Sequence, residues 1–191
     1  KYCLKFKLIQ ISTDQMYDSK NVVKNHENQK SIENNNYTRQ KLEAEKIALE
    51  EKSIILRTNF FGFSKIQNNK TFTDWLYSEA LKNSKLTLFK DVKFNPLSLI
   101  TLCKIIKKII KRDKKNIFGI YNLGCRNGLS KAKFAQAFLY KFKKLRYINK
   151  NVGSILKVKR SKNMIMNINK IQKEYNVRLP EIKKEIQKEI K

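Results

Sequence analysis

Tyr37 and Lys41 stand four residues apart in the stretch NNNYTRQKLEAEK, residues 34–46. On a helix that spacing puts both side chains on one face, about one turn apart. An ammonium near a phenol favours the phenolate, which makes a tyrosine usable as an acid–base near neutral pH. A hydroxyl at the end of a neighbouring strand could then hold a substrate carbonyl against that phenol. Thr13 or Ser12, in ISTD at residues 11–14, offers such a hydroxyl. Ligands of α/β folds bind at this carboxyl edge of parallel strands. A Tyr-x-x-x-Lys spacing also arises by chance in a lysine-rich chain, with the tyrosine half-buried at a helix start and the lysine solvated. The order of elements around it is what adds weight.

Residues 6–12, FKLIQIS, read as a short buried strand running into a polar turn. Residues 17–36 show no apolar period and read as a loop too long for a casual connection. A helix is predicted over 37–51, with Glu43, Glu45, Glu50 and Glu51 alternating with Lys41 and Lys46. SIILRT at 53–58 reads as a buried strand of the parallel type. Strand, loop, helix, strand is a βαβ crossover. Downstream, helices are predicted over about 71–83, 98–111, 130–141, 167–176 and 180–190, with strands at 85–89 and 118–124. In the second of these helices Ile105, Ile106, Ile109 and Ile110 form one face. In the third, Phe134, Ala135, Phe138 and Leu139 point inward and Ser130 is the N-cap.

Composition limits the classes available. With 41% hydrophobic and 10% aromatic residues in 191, the chain can bury a core. Five glycines and two prolines imply mostly regular elements. The net charge of +27 suggests nucleic acid or an acidic surface. However, only seven of the 43 basic residues are arginines, the residue whose fork grips phosphate. The joint excess of lysine, asparagine and isoleucine fits a base-composition bias, so nucleic acid is not the expected partner. Cys3, Cys103 and Cys125 have neither metal-ligand nor disulfide spacing and read as reduced, buried thiols in a cytoplasmic protein. No metal site is expected, and no apolar run is long enough for a membrane span.

ISTDQMYD, YTRQKLEAE and IILRTNFFG together resemble the extended short-chain dehydrogenase/reductase superfamily, and within it the dTDP-4-dehydrorhamnose reductase branch. LTLFKDVKFNPLSLITLCKII, GIYNLGCRNGLSKAKFAQAF and RSKNMIMNINKIQKEYNVRLPEIKKEI continue the resemblance over nearly the whole chain. It implies an α/β fold: the C-terminal part of a Rossmann-like doubly wound parallel sheet, with a smaller α/β substrate-binding domain. Residues 1–63 would be a truncated dinucleotide-binding domain. Residues 64–191 would be mainly the sugar-nucleotide-binding domain, with 117–125 returning to the main sheet.

The resemblance implies NAD(P)H-dependent reduction of a 4-keto nucleotide-deoxysugar, with NADP or NAD as cofactor, and allows a homodimer. Tyr37 would give a proton to the substrate oxygen. Lys41 would hold the nicotinamide ribose, and Thr13 would hydrogen-bond the carbonyl. Asn59 falls where the family touches cofactor or substrate, or simply forms a turn. Arg160 and Asn163 match a segment near the sugar nucleotide, where Arg160 either meets the diphosphate or is solvated. The chain departs from the family pattern at Val92, Phe94, Ser98 and Ser161, and it has no glycine-rich cofactor loop. An epimerase or dehydratase of the same superfamily, or a non-catalytic binding relative, is the alternative.

Overall fold

The computed structural model describes residues 7–19, 23–64, 66, 70–112, 117–140, 146–151 and 161–189. Its centre is a three-stranded parallel sheet. The all-buried run Ile54–Thr58 (β2) lies between Ile9–Thr13 (β1) and Gly119–Leu123 (β7). A strand buried on both faces reads as continuous apolar sequence, and IILRT departs from that only at Arg57 and Thr58. The register sets Ser12, Arg57 and Asn122 in one row across the sheet, with Thr13, Thr58 and Leu123 in the next. Successive rows face opposite sides, so the first row is a polar stripe through the sheet.

Helix α1, Asn36–Glu50, crosses from β1 to β2 and packs on both strands. It is started by a capping box in which Asn35 accepts from the Thr38 backbone N–H and Thr38 accepts from that of Asn35. The predicted helix over 37–51 is therefore found one residue earlier. The expected loop at 17–36 has few regular elements before α1, but it is not loose. Asn25 bridges Met166, and its backbone pairs with Ile165 and Asn167. Met16, Tyr17 and Asn25 are all buried.

Among the described residues, the rest of the chain forms three small pairings. Phe60–Phe61 (β3) pairs with Leu97–Ser98 (β6), and Lys85–Phe89 (β4) with Arg146–Lys150 (β9), both in parallel. Lys93–Phe94 (β5) pairs antiparallel with Leu129–Ser130 (β8). Only β4 of these is legible as a strand in the sequence. Helices Phe72–Leu81 (α2), Leu99–Lys111 (α3), Lys131–Phe138 (α4), Asn169–Tyr175 (α5) and Ile182–Glu189 (α6) complete the fold.

One core runs through the molecule. Phe134 on α4 contacts the rings of Phe61, Phe72, Phe94 and Phe138. Ser130 caps α4, and Phe134, Ala135, Phe138 and Leu139 are buried as expected. On α3 the expected isoleucine face is narrower, because Ile105 and Ile109 are buried while Ile110 is exposed. Cys125 is buried but Cys103 is exposed, which corrects the expectation of buried thiols; Cys3 lies outside the described residues. Gly124, at the end of β7, is required by close approach. A Cβ there would sit 2.5 Å from the Asn95 carbonyl oxygen.

Candidate active site

The helix face expected from spacing is present. Lys41 Nζ lies 6.0 Å from the centre of the Tyr37 ring. Its ammonium donates to the Ile11 carbonyl, 3.0 Å away near the end of β1. Because α1 runs back along the sheet, Tyr37 lies one turn beyond Lys41, toward the carboxyl edge of the strands. Tyr37 is 46% exposed.

Ser12 and Thr13 separate by strand alternation. Ser12 faces α1, is buried, and donates to Glu45 Oε1 at 2.5 Å. Its hydroxyl is thus engaged by a carboxylate. Thr13 is turned the other way and its Oγ accepts from the Gln15 backbone N–H at 3.2 Å, which leaves its O–H to donate.

Gln15 opens onto a cavity of about 270 Å³. Phe72, Trp75 and Phe89 supply apolar wall; Gln15, Asn59, Lys131 and Ser161 supply polar groups. The Phe72 and Trp75 rings stack 6.0 Å apart at 21°. The Lys131 ammonium lies 5.5 Å from the Phe72 ring centre. Ser161 closes the rim by donating to the Gln15 carbonyl at 2.6 Å and accepting from Asn34 at 2.9 Å. Tyr37, Lys41 and Thr13 do not line this cavity, which lies on the Gln15 and Asn59 side of them.

Asn59 is held by Asp14, donating to both carboxylate oxygens at 3.1 and 2.9 Å. Asp14 is wholly buried. Burial pushes its pKa up to about 7, outweighing the Asn59 hydrogen bonds and the positive charge of Lys131. Asn163 ties its own segment to the loop before α1, through its backbone N–H to Asp18 and its side chain to the Ser19 carbonyl. It is thus anchored in the fold beside Met164, another wall residue. Arg160 lies outside the described residues.

Sequence reasoning missed the buried groups. Asp14 sits unmarked in STD, and burial alone makes it special. Glu45 was expected among alternating surface charges, yet it is 2% exposed and paired with Arg57. A signal existed: Glu45 continues the 37, 41 stripe by four residues, and Arg57 stands inside an apolar strand where an unpaired charge is costly. The aromatic wall and Lys131 come from distant segments and have no local signature. Among the described residues, no group of histidine, cysteine or carboxylate side chains could hold a metal ion, and no helix is long and apolar enough to cross a membrane.

The fold is shared with sugar-nucleotide enzymes. dTDP-4-dehydrorhamnose reductase from Clostridium acetobutylicum superposes with a TM-score of 0.84 at 19% identity, covering 96% of this chain and 65% of that one. The same enzyme from Bacillus anthracis, in complex with NADP, gives 0.83 at 21% identity, covering 96% and 64%. dTDP-glucose 4,6-dehydratase from Bacillus anthracis, in complex with NAD, gives 0.75 at 22% identity, covering 96% and 60%. The chain therefore spans less than two thirds of the length of each. No curated protein matches it in sequence. Residues 2–191 match the family model of the RmlD substrate binding domain, and the chain belongs to that family.

Proposed function

We propose that this chain serves the NAD(P)H-dependent reduction of a 4-keto nucleotide-deoxysugar, with Tyr37 as proton donor. The observation that carries the reading is the Lys41 ammonium, fixed to the Ile11 carbonyl at 3.0 Å and facing the Tyr37 ring at 6.0 Å. It sets a cation and a phenol on one face at the carboxyl edge of a parallel sheet. Relatives of this fold crystallised with NADP or NAD support the cofactor class.

The residues present fit the ribose end of such a cofactor. Lys41 has three N–H donors, and the Ile11 carbonyl takes one. They do not supply a phosphate cradle, because the five glycines, 62, 119, 124, 128 and 153, form no glycine-rich turn. No residue of this chain is therefore assigned to the dinucleotide phosphates.

A bound nicotinamide supplies the hydride that adds to the keto carbon. Thr13 donates its O–H to the keto oxygen and orients it. Tyr37 gives its phenolic proton to that oxygen as negative charge develops there, so the product is an alcohol. The aromatic pair Phe72 and Trp75 offers a stacking face, and Lys131 a positive charge, to the nucleotide part of the substrate.

A superfamily epimerase or dehydratase would use the same three residues, and relatives of both kinds share this fold. The reductase reading is supported by the match of residues 2–191 to the RmlD substrate binding domain. Product analysis separates the readings. The protein that carries this chain, given a dTDP-linked 4-keto-6-deoxyhexose and NADPH, should consume one NADPH per 4-hydroxy product. A changed sugar without net NADPH consumption would contradict the reductase assignment.

A further inference from the structure

The polar row across the sheet centre has no role in the chemistry described above, yet it is held by strong contacts. Glu45 sits two turns along α1 from Tyr37 on the same stripe, about 12 Å away at the helical rise. Its carboxylate accepts from Arg57 Nε at 2.9 and 3.2 Å and from Arg57 Nη2 at 2.6 Å, as well as from Ser12. Arg57 also donates to the Tyr17 hydroxyl at 2.8 Å, and that hydroxyl donates to Asn122 at 2.9 Å. One guanidinium on the middle strand thus joins the helix, the segment after β1 and the far strand.

A buried ion pair is weak evidence for net stability, because desolvation offsets its attraction. What it supplies, unlike an apolar contact, is direction. A planar fork against a carboxylate fixes distance and orientation together. Apolar side chains in the same place would let α1 slide or roll on the sheet by fractions of a turn.

We propose that Glu45 and Arg57 are positioning residues that set the register of α1, and through it the place of the Tyr37 hydroxyl at the strand ends. Neither touches substrate. The inference rests on the role given to Tyr37 under Proposed function, and the test separates the two.

The test replaces the pair by apolar residues of similar length, Glu45→Met with Arg57→Met, in the protein that carries this chain. The expected result is a folded protein whose kcat is lower by about 10- to 100-fold, as small misplacement costs, with KM for the sugar nucleotide nearly unchanged. In a Tyr37→Phe background the same double change should have no further effect, since residues acting as one unit are non-additive. Wild-type kcat in the folded double variant, or an equal loss in the Tyr37→Phe background, overturns the proposal. Should the double variant fail to fold, Glu45→Gln keeps the shape while weakening the charge-assisted fork. It should give a smaller kcat loss with the same unchanged KM, and unchanged kcat overturns the proposal. The ring signals of Tyr37, read by NMR on isotope-labelled tyrosine, give an answer independent of turnover. They should shift in either variant, and unshifted signals overturn the clamp. Full turnover in Tyr37→Phe alone would instead sink the catalytic reading.

Discussion

Asp14 is a carboxyl that burial takes far from its ordinary behaviour. Its folded pKa of about 7 lies above the ordinary 3.8. Because the folded state holds the proton more tightly than the unfolded chain, this group's contribution is fully present below about pH 4 and is lost as pH rises through about 7. Wild-type stability should therefore fall by a few kcal/mol across that window relative to Asp14→Asn, whose side chain does not ionise. Urea unfolding of both proteins at several pH values measures the difference, and parallel pH profiles would contradict it. At the same scale, Thr13→Val removes the proposed donor to the substrate carbonyl. It should lower kcat/KM by about 10²- to 10³-fold and cost about 1 kcal/mol of stability, because the Gln15 backbone N–H loses its acceptor. Steady-state kinetics alongside a melting curve tests both halves. Residue-scale placement was legible where it follows helical spacing, as for Tyr37 and Lys41. It was not legible for Ser12 against Thr13, because the two alternate across a strand and only the position of Glu45 decides which one is enclosed.

At the scale of elements, α1 carries Tyr37, Lys41 and Glu45, and its start is chemically specified. The Asn35 side chain accepts from the Thr38 N–H at 3.0 Å. Asn35→Ala should cost about 1 kcal/mol in unfolding free energy, and the fraying should be read as faster amide exchange in the first turn that holds Tyr37. Unchanged exchange there would show that tertiary contacts alone hold the turn. Sequence reading placed α1, β2, α2, β4, α3, β7, α4, α5 and α6 to within three residues at each end. The two-residue strands β3, β5, β6 and β8 were invisible because their pairing depends on partners far along the chain. Strand β9 was hidden for another reason: in RYINK only Ile148 is even half-buried, so it shows no alternation to read. The departures at Val92, Phe94 and Ser98 are also explained at this scale. Val92 and Phe94 are buried in the core, and Ser98 caps α3 while donating to the buried Glu185 at 2.6 Å.

For the whole molecule, the cavity and the core share one wall. Phe72 faces the cavity and also packs on Phe134, whose side chain is wholly buried. Phe134→Ala should therefore cost about 3–5 kcal/mol of stability and also weaken sugar-nucleotide binding, since Phe72 loses its backing. Denaturation and binding titration together check this, and a destabilised protein with unaltered affinity would detach the cavity from the core. The general α/β architecture was legible from the order of apolar runs. The cavity was not, because it is assembled from residues between 15 and 164 in sequence.

The central claim is that Tyr37 delivers the proton. The most direct measurement is the kcat of Tyr37→Phe, with sugar-nucleotide affinity measured on the same preparation by calorimetry. The expected result is a kcat reduced by about 10²- to 10⁴-fold with affinity retained. Turnover at the wild-type rate would contradict the claim.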